Sequence, residues 1–252
     1  MRVLKESQPG EKTAETIAAV TDAPAAQATL SLRAVTILEI ASVLATVLIT
    51  AWAVVPLRIG NRWLESLPAF LGLALTFSSH WLRKETLTEL GFTHRHFGRA
   101  LLLLIAPTVV VTTVLLAIGW SLGSLRLNSH LVTSALGRSL WGMFQQYLLQ
   151  AFIYRRVKFI ALDGISSPES QSRRTWLAIA VAAGIFALTH APNLPLMGLT
   201  LLSALIWTWV YERAPNLFAL SLSHGLMSTL TSATLPEWAL KGMIVGLRYF
   251  VY

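Results

Sequence analysis

The sequence predicts an all-α fold, a polytopic membrane bundle with about seven transmembrane helices. Three observations lead there. The 252 residues are 54% hydrophobic, with a mean hydropathy of +0.60. Only 13% are charged, against about 25% in a soluble domain. The apolar residues collect in runs near the ~20 residues that a bilayer core requires.

Residues 1–32 are polar, with no apolar core. This stretch is expected to be a disordered cytoplasmic tail, not a secretory signal. A transmembrane domain is expected over 33–236 and an interfacial tail over 237–252, anchored by Trp238, Tyr249 and Tyr252. The first two spans read as about 34–57 and 64–82. A charged connector follows from Arg83 to Arg99, in which Leu87, Leu90 and Phe92 are spaced to lie along a surface. It reads as a short interfacial helix ended by Gly91. Its His94 and His96 read as headgroup neighbours. Span three is about 100–122, with Pro107 placed to kink it. Span four is long, about 131–161. Spans five to seven read as about 175–191, 195–212 and 216–234, punctuated by Pro192, Pro195 and Pro215. Asn193 reads as the cap of span six.

Charge and cysteine content narrow the function classes. The formal charge is +8 and the pI about 10.3. Nearly all lysines and arginines fall in loops between apolar runs, which points to membrane lipids as partners and away from nucleic acid. Fourteen of them lie on one side of the expected topology and five on the other. That bias places the N-terminus in the cytoplasm. No cysteine is present, so disulfides, thiolate metal sites and cysteine nucleophiles are excluded.

Polar side chains inside apolar runs carry the chemistry. Span four holds Gln145, Gln146 and Gln150, with Gln146 and Gln150 four apart on one face. Span five holds Phe186 and His190; span seven holds His224 and Ser228. Such groups in hydrocarbon cost several kcal/mol unless partnered. Three helices bearing them point to one shared intramembrane site. At 1.5 Å per residue, Gln145 and His224 lie ~15 and ~16 Å from the cytoplasmic side, and His190 ~24 Å. Two histidines without a carboxylate make a poor hydrolytic zinc site, so neither metal nor cofactor is expected. Glu39 and Glu212, the nearest spare carboxylates, read as interfacial.

The order of these residues resembles the CAAX-protease and bacteriocin-processing (CPBP) family of membrane proteins, which includes type II CAAX prenyl endopeptidases. That family's pattern is Glu-Glu-x-x-x-Arg, then Phe-x-x-x-His, then His-x-x-x-Asn, each on its own helix. Here the stations are Gln145–Gln146–x–x–x–Gln150, Phe186–x–x–x–His190 and His224–x–x–x–Ser228. Leu90–Gly91–Phe92 also looks like the family's lead-in to span three, so the resemblance covers about residues 85–232. It implies an intramembrane endopeptidase acting on a membrane-associated protein or peptide, in the bacterial inner membrane. The implied catalytic positions are Gln145, Gln146, His190, His224 and Ser228. An amide orients water but cannot take its proton, so glutamate-type general base catalysis is not expected. Two readings follow: hydrolysis with a histidine as base, or an inactive relative that binds a membrane peptide, a lipid or a partner protein.

Overall fold

The computed structural model describes residues 32–57, 61–126 and 128–251. All of the expected N-terminal tail except Leu32, and the Tyr252 anchor, lie outside the described residues. Two compact units divide the chain, Met1–Leu38 and Glu39–Tyr252. Of the first, residues 32–38 are described and helical.

The architecture is all-α. Helix α1 is Leu32–Leu57, α2 Arg62–Leu82, α3 Phe97–Ser121 and α4 Leu131–Gln146. A π-helical stretch, Tyr147–Tyr154, carries α4 into α5, Arg155–Leu162. Then come α6 (Pro168–Leu188), α7 (Leu194–Arg213), α8 (Leu217–Thr234) and the short α9 (Glu237–Leu240) and α10 (Arg248–Val251). A helix occupies each stretch read as a span. By length and composition, α1, α3 and α7 are apolar enough to cross a membrane. Pro107 sits inside α3 without ending it.

Helix starts are set by local chemistry. Asn61 accepts from Trp63 N and Leu64 N at the head of α2. Ser167 accepts from Ser170 N, with Pro168 in the first turn of α6. Asn193 accepts from Leu196 N and caps α7. Asn216 accepts from Ala219 N and caps α8. Each cap satisfies an amide that the first turn leaves free.

The connector corrects the expectation of an interfacial helix. Residues 85–96 form hydrogen-bonded turns. Phe92 N reaches back to Leu87 O at 2.9 Å, and Gly91 holds φ +89°, the left-handed ending that glycine permits. A Cβ on Gly91 would meet Tyr211 Cε2 at 3.1 Å. The segment is drawn inward by polar contacts rather than floated by its apolar residues. Tyr211 Oη donates to Leu90 O (3.0 Å), Leu217 N to Gly91 O (2.9 Å), and Asn216 Nδ2 to Thr93 O and Arg95 O (2.5 and 3.0 Å).

Close helix approach then sets the site. Along α4 and α8 the facing residues are small: Ser139, Gly142, Ser221 and Gly225. A Cβ on Gly225 would lie 2.5 Å from Ala135 O. Small residues let membrane helices approach backbone to backbone. Ser221 Oγ uses that proximity to donate to Ser139 O at 2.5 Å.

Candidate functional site

The close pairing of α4 with α8 brings the glutamine and histidine stations together. Gly142 faces His224, whose Cβ and Cγ would each lie 3.0 Å from a Cβ added there. One turn along, Gln146 Nε2 lies 3.2 Å from His224 Nδ1. Gln150 Nε2 donates to Gln146 Oε1 at 3.1 Å. Because that carbonyl is an acceptor, Gln146 presents its NH2 to His224. Nδ1 therefore accepts and the imidazole proton sits on Nε2, an assignment made from the hydrogen-bond partners. Gln146 and Gln150 are fully buried, and Gln150 Oε1 has no partner among the described residues.

Aromatic rings fix the two imidazoles. Trp207 stacks on His224 with centroids 4.7 Å apart and planes 12° apart. Its own Nε1 donates to Ser223 Oγ at 3.1 Å, which locks the indole. The Phe186 ring contacts both histidines, at 4.8 Å from His190 and 6.4 Å from His224. His190 Nδ1 lies 2.8 Å from Phe186 O. A carbonyl only accepts, so Nδ1 carries the proton and Nε2 keeps a free lone pair.

A cavity of about 390 Å³ has His190, His224, Gln145 and Ser228 in its wall. A second, more apolar cavity of about 370 Å³ lies against α1 and α2, and Gln145, His190, Trp141 and Val245 line both. The structure thus separates the two adjacent glutamines. Gln145 is partly exposed to the cavities and makes no hydrogen bond to the described residues. Gln146 is consumed by its neighbours. His190 reaches the same cavity as His224 despite its greater distance along the chain from the flanking arginines.

Three features of the site had no clear signal in the sequence. Arg138 lies two turns before Gln145 and projects into the cavity wall. It donates through Nη1 to Ser228 Oγ (3.1 Å) and through Nη2 to Ser232 Oγ (3.3 Å). Ser228 therefore holds a guanidinium. The C-terminal tail supplies Met243 and Val245 to the wall. Asn193 Nδ2 ties it in by donating to Leu240 O (2.7 Å) and Ile244 O (3.2 Å), and Gly246 N donates to Ala191 O (2.8 Å). The third is the π-helical stretch immediately after Gln146, a deviation common at functional sites.

Carboxylates lie elsewhere. Glu85 accepts from Arg155 Nη2, Arg156 Nη2 and His80 Nδ1 at 2.8, 2.7 and 2.6 Å. Burial pushes the Glu85 carboxyl up, but hydrogen bonds from His80, Arg156 and Arg155 outweigh it and hold the group well below the usual carboxylate range. Glu39 accepts from Arg83 Nη2 at 2.7 Å. Glu212 accepts from Tyr154 Oη and Lys158 Nζ, both at 2.5 Å. Among the described residues, no Asp or Glu lines the cavity, and no three His, Asp or Glu side chains are grouped to hold a metal ion.

Residues 142–230 match the family model for type II CAAX prenyl endopeptidase Rce1-like proteins. No curated protein and no solved structure matches the chain. The matched stretch runs from Gly142 on α4 to Leu230 on α8 and contains all three polar stations and the helix pairing that joins them. Over those residues the chain is similar to the type II CAAX prenyl endopeptidase Rce1-like proteins, and its long apolar helices fit an integral membrane protein.

Proposed function

We propose that the chain is an intramembrane endopeptidase-like protein. It admits a membrane-associated protein or peptide to the polar cavity and hydrolyses a peptide bond with His190 as the base. The observation that carries this reading is the His190 Nδ1 contact to Phe186 O at 2.8 Å. It leaves a lone pair on Nε2 of a residue in the cavity wall. His190 Nε2 takes a proton from water as the water oxygen bonds to the peptide carbonyl carbon. That proton then passes to the departing amine as the C–N bond breaks, giving a carboxylic acid and an amine. His224, with Nε2–H, donates to the developing oxyanion. Gln145 orients the water. Gln146 positions His224, and Ser228 positions Arg138.

A second reading has its own observation. Among the described residues no carboxylate lines the cavity, and the Gln146 amide is fixed between His224 and Gln150. Such a site binds a membrane peptide without cleaving it. Turnover of a panel of membrane peptides by the purified chain separates the two. Cleavage that is lost in both His190→Ala and His224→Ala supports hydrolysis. An inert parent that gains cleavage on Gln145→Glu with Gln146→Glu supports the binding reading.

A further inference from the structure

Arg138 is the one charged side chain in the wall of the polar cavity among the described residues. Every partner it has there is neutral: Ser228 Oγ and O, Ser232 Oγ and Met243 Sδ. Isolated charges in apolar surroundings are costly and are normally paired. The hydrogen bonds also use the guanidinium unevenly. Nη1 spends its donors on Ser228 and Met243, and Nη2 spends one on Ser232. The Nε hydrogen and the second Nη2 hydrogen have no protein acceptor among the described residues. These two N–H groups form one edge of the guanidinium, whose spacing matches the two oxygens of a carboxylate.

The surroundings favour a small planar anion. The serines that grip Arg138 lie one turn apart on α8, so the free edge is fixed before any ligand arrives. His224 is one turn further along the same helix from Ser228. A carboxylate on Arg138 would therefore stand near the two histidines.

We propose that Arg138 is a carboxylate receptor that selects membrane peptides bearing an anionic group within a few residues of the segment held at His190 and His224. The group is either a free chain terminus or an Asp or Glu side chain. The inference rests on the peptide-binding part of the function proposed above, but not on cleavage.

Binding of labelled membrane peptides to the full chain in phosphatidylcholine nanodiscs tests it. One peptide ends in a free carboxylate, the second in an amide, and the third is amidated with an internal Asp. Charge-assisted hydrogen bonds predict that a carboxylate peptide binds the parent about tenfold or more tighter than the plain amide. Preference for the first identifies the chain terminus as the source; preference for the third identifies the side chain. Arg138→Gln should erase the preference by weakening only the acid, and Arg138→Lys should keep part of it. The parent comparison stands even where Arg138→Gln does not fold. Equal binding of all three peptides overturns the proposal, as does full preference in a folded Arg138→Gln. Loss of preference in phosphatidylglycerol nanodiscs also overturns it, in favour of a lipid phosphate on Arg138. Preference without any cleavage rejects only the hydrolytic reading.

Discussion

Gln146 Nε2 stands 3.2 Å from His224 Nδ1, joining α4 to α8 behind the cavity that His224 lines. The contact sets the tautomer of His224 and leaves its Nε2–H as a donor. Gln146→Leu should remove it and orphan both the imidazole nitrogen and Gln150. Leaving a buried polar group unpaired costs roughly 1–3 kcal/mol. Thermal unfolding of the purified variant in detergent measures the loss, and an unchanged midpoint would show that the contact contributes nothing.

Gln146 and Gln150 are both fully buried and 3.1 Å apart, so changes at the two positions should couple. Gln146→Glu alone places a carboxylate beside neutral groups and should destabilise. Adding Gln150→Arg supplies a cation on the same face. The double variant should recover stability relative to the sum of the singles by roughly 0.5–3 kcal/mol. Additive effects would mean that the two side chains do not share one buried pocket.

A methyl group has no room on α8 at Gly225. Its Cβ would lie 2.5 Å from Ala135 O and 2.6 Å from Ser139 N, and backbone cannot step aside cheaply. Gly225→Ala should force α4 and α8 apart and cost about 1–3 kcal/mol. It should also separate Gln146 from His224. Gly137→Ala, where a Cβ meets nothing within 4 Å, is the control and should not lower the unfolding midpoint, since alanine is the better helix former inside α4.

Acid should weaken the ion-pair cluster around Glu85. Its carboxyl is held low in the folded chain, whereas an unfolded glutamate titrates near pH ~4.3. The folded form thus prefers the ionised group. The stabilisation is fully present above the unfolded value and is lost as pH falls from there towards the depressed folded value. Glu85→Gln should be less stable than the parent at neutral pH and should show a shallower decline below about pH 4.3. Parallel stability–pH curves for the two proteins would contradict this.

Much of the fold was legible because a bilayer-length apolar run is a strong, local signal. The three polar stations were legible for the same reason, since Gln146, His190 and His224 each interrupt such a run. What stayed hidden depends on contacts distant in sequence. Nothing near Arg138 in the sequence marks its partners, Ser228 and Ser232, which are 90 and 94 residues away. Leu90–Gly91–Phe92 has the spacing of a surface helix, but hydrogen bonds from Tyr211 and Leu217 on two other helices pull it inward. The tail reads as interfacial from Trp238 and Tyr249, yet Asn193 fastens residues 240–244 beside the cavity. Nor does composition mark the π-helical stretch that follows Gln146.

The role of His190 is tested most directly by the single-turnover rate of one membrane peptide with the purified parent and with His190→Ala, both at pH 7. Loss of a general base should slow cleavage by roughly 10²–10⁴-fold while leaving peptide binding intact. Equal rates in the two proteins would contradict the account.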